Sequence, residues 1–421
     1  MQISRKSAIS SAVAAGVAIV VVLAAVAGIY LLYPPGTNTI TSTVQNTVTT
    51  TSTAVSVSTS TSVSTSVSTT VSVSTTSTWV PKPNTLQAGG STFVNPIMQV
   101  WVSGFKDYTN GAVQINYQAI GSGAGITGIL KQNFDFAGTD APVSAAQSAN
   151  YTSKYGPLLT IPESLGAVAI FYNIPGIKAN LNLTGPIIAD IYLQKITTWN
   201  DPSIRALNPK VADLNASTNL TIVPVHRSDG SGTTYALTKY FTKVSADWNA
   251  SSIGFGTSVN WPNSPNPELA GKGSGGVAAT VSQTPNSVGY ADSYYAFSNK
   301  LLSAAVQNKA GKFLVPSLAG VTNAASDFSA QVQANPTFSI TNAPGTNSYA
   351  IATYTYLLVW QNQTNQGKGD DVAHFLLWVV THGQALGPPL FYPSLPASVV
   401  TIDQALIAQM NYNGTPFIPA G

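Results

Sequence analysis

The stretch from Leu220 to Trp248 constrains the fold more than any other. Leu220-Thr221-Ile222-Val223-Pro224-Val225 is an apolar run. His226-Arg227-Ser228-Asp229-Gly230-Ser231-Gly232-Thr233-Thr234 is a polar turn with two glycines, and Tyr235 to Trp248 is amphipathic. That order predicts strand, tight turn and helix. Ser231 or Thr233 then opens the helix, where free N–H groups and the positive end of the helix dipole favour an anion. Arg227 adds a two-pronged donor that matches a tetrahedral oxyanion. On these residues alone two readings stand: a phosphate cradle, or a Gly-Ser-Gly turn with an ordinary capping hydroxyl. A nucleotide P-loop is excluded because no Gly-Lys-Ser/Thr end follows. A nucleophile elbow is excluded because the serine lacks the Gly-x-Ser-x-Gly frame.

The same alternation recurs along the chain. Leu86-Gln87-Ala88 reads as a strand, Gly89 to Phe93 as a turn, and Pro96 to Tyr108 as a helix, with Pro96 suited to a first turn. Val113 to Tyr117 alternates as a strand does, Gly121 to Gly125 turns, and Ile126 to Gln132 is helical. Phe134 to Ala137 precedes Gly138-Thr139-Asp140-Ala141-Pro142. Ala167 to Asn173 reads as a strand and Asp190 to Trp199 as a helix. Gly271 to Gly276 leads into a short helix, Asn286 to Tyr290 into a strand, and Ala350 to Trp360 and Asp370 to Thr381 read as a strand and a helix. The repetition points to α/β architecture with a largely parallel sheet. Ligands in such sheets bind at the carboxyl ends of the strands, where the turns at Thr92, Ser122, Asp140 and Arg227 fall.

Composition narrows the function. Charged residues make up 8% of 421 and the formal charge is +3, so the basic stripe of a nucleic-acid binder is missing. Few carboxylates means few ion pairs lost on protonation, and acid tolerance is a corollary. Cysteine is absent, which excludes disulfides, Cys-ligated zinc and thiol nucleophiles. The histidines are His226, His374 and His382; His226 lacks a metal-ligand partner at helical spacing, no carboxylate cluster accompanies the three, and no metal or cofactor is expected. Ser103-Gly104-Phe105-Lys106 matches Ser-x-x-Lys, but its companion motifs are missing.

Arg5 and Lys6 precede an apolar run from Val13 to Leu32, long enough as a helix to span a bilayer core of roughly 30 Å. Positive charge before the run predicts a cytoplasmic N-terminus and an external remainder. Residues 1–36 therefore read as an anchor, with the membrane held through residues 8–33, or as a signal cleaved near Ala25-Val26-Ala27. Residues 37–84 are rich in Ser, Thr and Val with almost no charge, cannot bury a face, and read as a flexible stalk. Asn-x-Ser/Thr sequons at Asn150, Asn182, Asn215, Asn219, Asn249, Asn362 and Asn413 predict a glycoprotein surface.

An ordered series of pieces then carries a resemblance. They are Ala88-Gly89-Gly90-Ser91-Thr92-Phe93, Tyr117-Gln118-Ala119-Ile120-Gly121-Ser122-Gly123, Asp135-Phe136-Ala137-Gly138-Thr139-Asp140-Ala141-Pro142 and Asn173-Ile174-Pro175-Gly176. Asp190-Ile191-Tyr192, Ile196 with Trp199-Asn200-Asp201, Arg227 to Thr233, Gly271-Lys272-Gly273, Gly289-Tyr290 and Tyr392-Pro393-Ser394-Leu395-Pro396 follow. Over residues 85–411 the chain resembles the phosphate-binding protein of ABC-type phosphate importers. The resemblance implies a type II periplasmic-binding-protein-like clamshell: lobe I from 85–160 and 343–421, lobe II from 161–342. It implies that inorganic phosphate lies in the cleft. Thr92 and Phe93 would offer N–H groups and Thr92 a hydroxyl, Ser122 would serve the second helix start, Arg227 would pair with the anion and with Asp229, and Ser231, Gly232 and Thr233 would donate from the third.

Asp140 resembles the family's discriminating carboxylate. Ionised, it only accepts, so it accepts a hydrogen bond from the O–H of HPO4²⁻ or H2PO4⁻ and turns away fully ionised sulfate. Ser91 departs from the family, which usually has a small apolar residue there. The resemblance implies a monomeric extracellular receptor at the cell surface, or secreted if the leader is cleaved, that delivers phosphate to ABC permease subunits. The alternatives are a receptor for arsenate, a phosphonate or sulfate, an exported phosphatase, which would need a nucleophile with a base or a metal cluster, and a structural surface protein.

Overall fold

The computed structural model describes residues 79–419, apart from 213, 215–219 and 263–267. The expected anchor, all but the end of the expected stalk, and Asn215 and Asn219 lie outside the described residues. Among the described residues no helix is long and apolar enough to cross a membrane.

Period-two alternation builds the first edge. Strand β2 (Val113–Ala119) buries Val113, Ile115 and Tyr117 and exposes Gln114, Asn116 and Gln118. Its parallel neighbour β1 (Asn84–Gly90) also pairs in parallel with β3 (Phe136–Thr139). The crossovers are α1 (Asn95–Tyr108), with Pro96 in its first turn, and α2 (Ser122–Leu130). Helix α2 starts earlier than its sequence suggests. Gly121, at φ 92, makes the whole turn in one residue, and Ser122 is already helical.

The two apolar runs make the middle of the sheet. Strand β4 (Leu158–Asn173) is almost wholly buried, and β8 (Ala352–Trp360) entirely so. Strand β8 lies antiparallel between β3 and β4. Further along, β4 leaves β8 and takes β7 (Ser287–Asp292) as its antiparallel partner, the change falling between Ala167 and Val168. Beyond β7 come β5 (Val223–Arg227) and β6 (Leu269–Gly271), joined in parallel. The path β2-β1-β3-β8-β4-β7-β5-β6 is therefore two α/β halves sharing one long strand. The sheet is mixed rather than largely parallel, because β4 and β8 run against their neighbours where the halves meet. The chain also recrosses at this point: Val168 N–H donates to Ile351 O (2.9 Å) and Tyr349 Oη to Val168 O (3.0 Å).

The second half carries α3 (Gly185–Tyr192), α4 (Gly232–Val244), α5 (Ala246–Ala250), α6 (Gly273–Gln283) and α7 (Ser293–Ser298). Two sequence expectations are corrected. The helix expected over 190–199 is α3: Thr184 caps it from Ile187 N–H, Pro186 sits in its first turn, and it stops before Gln194 at φ 60. The single helix expected to Trp248 breaks at Ser245, whose extended backbone ends α4 and whose Oγ accepts from Trp248 N–H (3.0 Å) to start α5. Buried rings fix α4 against its neighbours. Phe241 lies 4.9 Å from Trp248 and 6.2 Å from Tyr192, contacts worth about 0.5–1.5 kcal/mol each beyond area burial. At the far end of α4, Lys243 Nζ donates to Thr341 O (2.8 Å) and Ser339 O (3.1 Å), just before the chain returns to the first half. Helices α8 (Gln366–Thr381) and α9 (Ala397–Ile407) complete the first half.

Candidate functional site

Thr92, Ser122, Asp140 and Arg227 all follow or end strands at the carboxyl edge of the sheet, and the two halves face each other across them. Contacts bridge the halves directly. Gly123 N–H donates to Gly230 O (2.9 Å), Ser274 N–H to Thr92 Oγ1 (3.0 Å), Tyr295 Oη to Thr92 O (3.2 Å), and Thr233 Oγ1 to Asp140 Oδ2 (3.4 Å). A Cβ on Gly232 would lie 2.6 Å from Asp140 Cβ and from Ser122 Oγ, so only glycine lets α4 come this close. A cavity of about 280 Å³ lies at the mouth, between Thr92 and Ile120 on one side and Asp229, Lys272 and Gly276 on the other.

Asp140 is the centre of the polar network and is 2% exposed. Its N–H donates to Ser122 Oγ (3.2 Å), and Ser91 Oγ makes a short hydrogen bond to its Oδ1. Burial pushes the Asp140 carboxyl up to about 6, against the opposing pull of Ser91, the Arg227 charge and Thr233. Two further buried carboxyls are electrostatically coupled to it, Glu163 and Asp292, and burial raises both well above the usual range. Glu163 sits where β4 and β8 slip register: Pro162 pairs with Tyr356 and Ser164 with Thr355, and the residue between is bulged. Its Oε1 accepts from Thr355 Oγ1 (3.2 Å) and Oε2 has no partner. Asp292 Oδ1 accepts from Tyr392 Oη (3.1 Å).

Arg227 has a side chain only 2% exposed. Its Nε and Nη2 grip the two oxygens of Asp229 in a bidentate pair, with Nε–Oδ1 at 2.8 Å, and Gly273 N–H also donates to Oδ1 (2.9 Å). Burial alone would raise Asp229, but these donors hold its carboxyl below the usual range. Ser231 Oγ caps α4 by accepting from Thr234 N–H (3.1 Å). The start of α4 is braced from behind, because the hydroxyls of Thr234 and Tyr290 are 2.7 Å apart and Tyr290 Oη accepts from Arg227 N–H (3.2 Å).

Of the residues singled out in the sequence, Thr92, Ser122, Asp140, Gly232 and Thr233 meet across the halves, with Arg227 and Asp229 as a pair beside them. Two expected backbone donors have protein acceptors in this structure: Phe93 N–H donates to Ser91 Oγ (3.0 Å) and Ser231 N–H to Thr257 O (2.7 Å). No site role was read from the sequence for Ser274, Tyr295, Tyr290, Glu163 or Asp292. Ser274 lies in the Gly-rich stretch before α6, which was its only signal. Glu163 was detectable as a carboxylate inside an apolar strand. Among the described residues no group of His, Cys, Asp and Glu could hold a metal.

Two α/β halves sharing a strand, with converging helix starts and one guanidinium between them, define a two-lobed ligand-binding protein. The PBP superfamily domain model matches residues 44–382. Phosphate-binding protein PstS of Methanocaldococcus jannaschii is 38% identical over 339 residues, covering 76% of this chain and 85% of the relative. Phosphate-binding protein PstS of Pasteurella multocida is 35% identical over 335 residues, covering 79% and 92%. Among solved structures, a high-affinity periplasmic phosphate-binding protein (PfluDING) bound with phosphate shares the fold with TM-score 0.61 and 20% identity, over 80% of this chain and all of that one. A phosphate-binding protein from Stenotrophomonas maltophilia shares it with TM-score 0.56 and 19% identity, over 76% and 93%. The chain belongs to the PBP superfamily and, within it, to the PstS family of phosphate-binding proteins.

Proposed function

We propose that this chain is an extracellular receptor for inorganic phosphate that delivers the anion to the permease of an ABC-type importer, by binding and release alone. The observation that carries the reading is the meeting of Asp140 with the starts of α2, through its N–H, and α4, through its carboxyl, beside the Arg227 guanidinium. Hydroxyl groups of both halves meet at Asp140, and an ionised carboxylate only accepts, which suits an anion that still carries a proton. We assign the ligand set to Thr92, Ser122, Asp140, Arg227, Ser231 through its hydroxyl, Gly232 and Thr233, with Asp229 orienting Arg227; Phe93, expected as a donor, has its N–H on Ser91 Oγ instead. We divide the chain with residues 85–160 and 343–421 as lobe I and 161–342 as lobe II; the partner change along β4 between Ala167 and Val168 supports a crossing within this strand. Anchoring through residues 8–33, the stalk over 37–84 and glycans on the sequons complete the proposal for a monomer held at the cell surface.

Titration of the full chain with phosphate, with sulfate as competitor, tests this reading. One-to-one phosphate binding is expected at pH 8, unaffected by excess sulfate. As the pH falls through about 6, Asp140 takes up a proton and becomes able to donate, so sulfate should begin to compete. Asp140→Asn should bind sulfate at every pH, with phosphate weakened by about tenfold or more through loss of a charge-assisted hydrogen bond. A chain that binds neither anion, or an Asn variant that still excludes sulfate, would overturn the assignment.

Closure gives a second expected outcome. The close approach at Gly232 is to the other lobe, and Gly232 has no positive φ. Gly232→Val should therefore leave the melting temperature within a few degrees while weakening phosphate by about tenfold or more, since the valine obstructs only the closed form. Unchanged affinity would remove closure over this contact from the mechanism.

A further inference from the structure

Ser91 is wholly buried, and each of its polar atoms is engaged. Its N–H donates to Gly138 O (2.8 Å), its carbonyl accepts from Tyr117 Oη (2.9 Å), and its Oγ accepts from Phe93 N–H (3.0 Å) while reaching Asp140 Oδ1. The Phe93 N–H, at the entrance to α1, points its hydrogen at the Ser91 oxygen. That arrangement favours the serine as donor and the Asp140 oxygen as acceptor. Among the described residues the other carboxylate oxygen, Oδ2, has the longer contact to Thr233 Oγ1 from the opposite lobe.

We propose that Ser91 is a specificity-determining positioning residue: its hydroxyl occupies Asp140 Oδ1, turns Oδ2 toward the anion and keeps the carboxylate an acceptor. The inference rests on the phosphate reading above and deepens it. Neighbours on every side bear on that carboxylate. Arg227 at the end of β5 favours its ionised form. Glu163 on β4, Asp292 at the end of β7, and the phenols Tyr117 on β2 and Tyr356 on β8 are coupled to it from the other directions. In a site this dry, with two other carboxyls near, the serine hydroxyl is the only donor within the same lobe that contacts Oδ1 among the described hydrogen bonds. Without it Asp140 would rotate and hold a proton to higher pH. A protonated Asp140 donates, and so accepts sulfate.

The test is calorimetric titration of the full chain and of Ser91→Ala and Ser91→Thr with phosphate and with sulfate from pH 4.5 to 8.5. For Ser91→Ala the ratio of sulfate to phosphate Kd is expected to fall by about tenfold, the worth of one charge-assisted hydrogen bond. The pH below which sulfate binds should rise by about one unit, the equivalent shift in proton affinity. Ser91→Thr, which keeps the hydroxyl, should restore both. Should the alanine variant fail to fold, Ser91→Cys, a weaker donor, carries the same expectation. A folded alanine or cysteine variant with the parent's ratio and pH profile would overturn the role of Ser91 while leaving the receptor reading intact. A parent chain that binds no phosphate would overturn both.

Discussion

Replacing Arg227 by methionine is expected to weaken phosphate binding by a hundredfold or more, about 2.7 kcal/mol or above. Among the described residues the guanidinium is the cation that acts on Asp140, and charge-assisted hydrogen bonds contribute about 1.5–3 kcal/mol each. Its loss also strands Asp229, whose side chain is only 13% exposed, and breaking a buried pair from one side costs about 3–5 kcal/mol. A fall in stability could therefore imitate a fall in binding. The double variant Arg227→Met/Asp229→Asn separates them, because it removes both charges and leaves Gly273 N–H a neutral acceptor. The double variant should regain most of the melting temperature lost by the single one and still fail to bind. Phosphate binding by the double variant within tenfold of the parent would remove Arg227 from the ligand set.

Asp403→Asn is expected to stabilise the protein at pH 7 and to change little at pH 4. Asp403 lies on α9 with no exposed surface, and neither carboxyl oxygen has a partner. Burial pushes this group from 3.8 up to about 9. The sign follows from proton linkage. Below about pH 4 both folded and unfolded chains hold the proton, and the group costs nothing. As pH rises toward 9 the unfolded chain releases it and the folded chain keeps it, so stability falls. At pH 7 the difference approaches about 4 kcal/mol, as an upper bound at roughly 1.4 kcal/mol per pH unit. Glu163 and Asp292 act in the same direction, so the parent should be more stable in acid than at neutral pH, and the asparagine variant should flatten that slope. Urea melts at pH 4 and pH 7 read both effects. A parent whose stability rises toward neutrality, or a variant with the parent's slope, would contradict the buried, protonated state of Asp403.

The strand-turn-helix pattern was legible because glycine and hydroxyl residues mark each turn at the carboxyl edge of the sheet, and with it came Thr92, Ser122, Asp140 and Arg227. Helix limits were less legible where one backbone torsion decided them, as at Gly121 for α2 and Gln194 for α3. The mixed sense of the sheet was hidden because β4 and β8 are buried on both faces, and such a run does not reveal its direction. Ser274 and Tyr295 act only through contacts with the other lobe, which no local pattern encodes. Asp403 would pass for a solvated residue on an ordinary helix face, because its burial is decided by what packs on α9. Ser91 was visible as a departure from the family, but not its grip on Asp140.

Helix α4 has one more consequence. Its thirteen residues form a strut about 20 Å long. One end bears on the jaw, where Gly232 and Thr233 meet Asp140. The other bears on the axle, where Lys243 holds the carbonyls of Ser339 and Thr341 beside the chain's return to the first lobe. A strut fixed at both points cannot tilt at one without loading the other. The grip on a captured ion and the angle of the hinge are thereby geared together by a single rigid part.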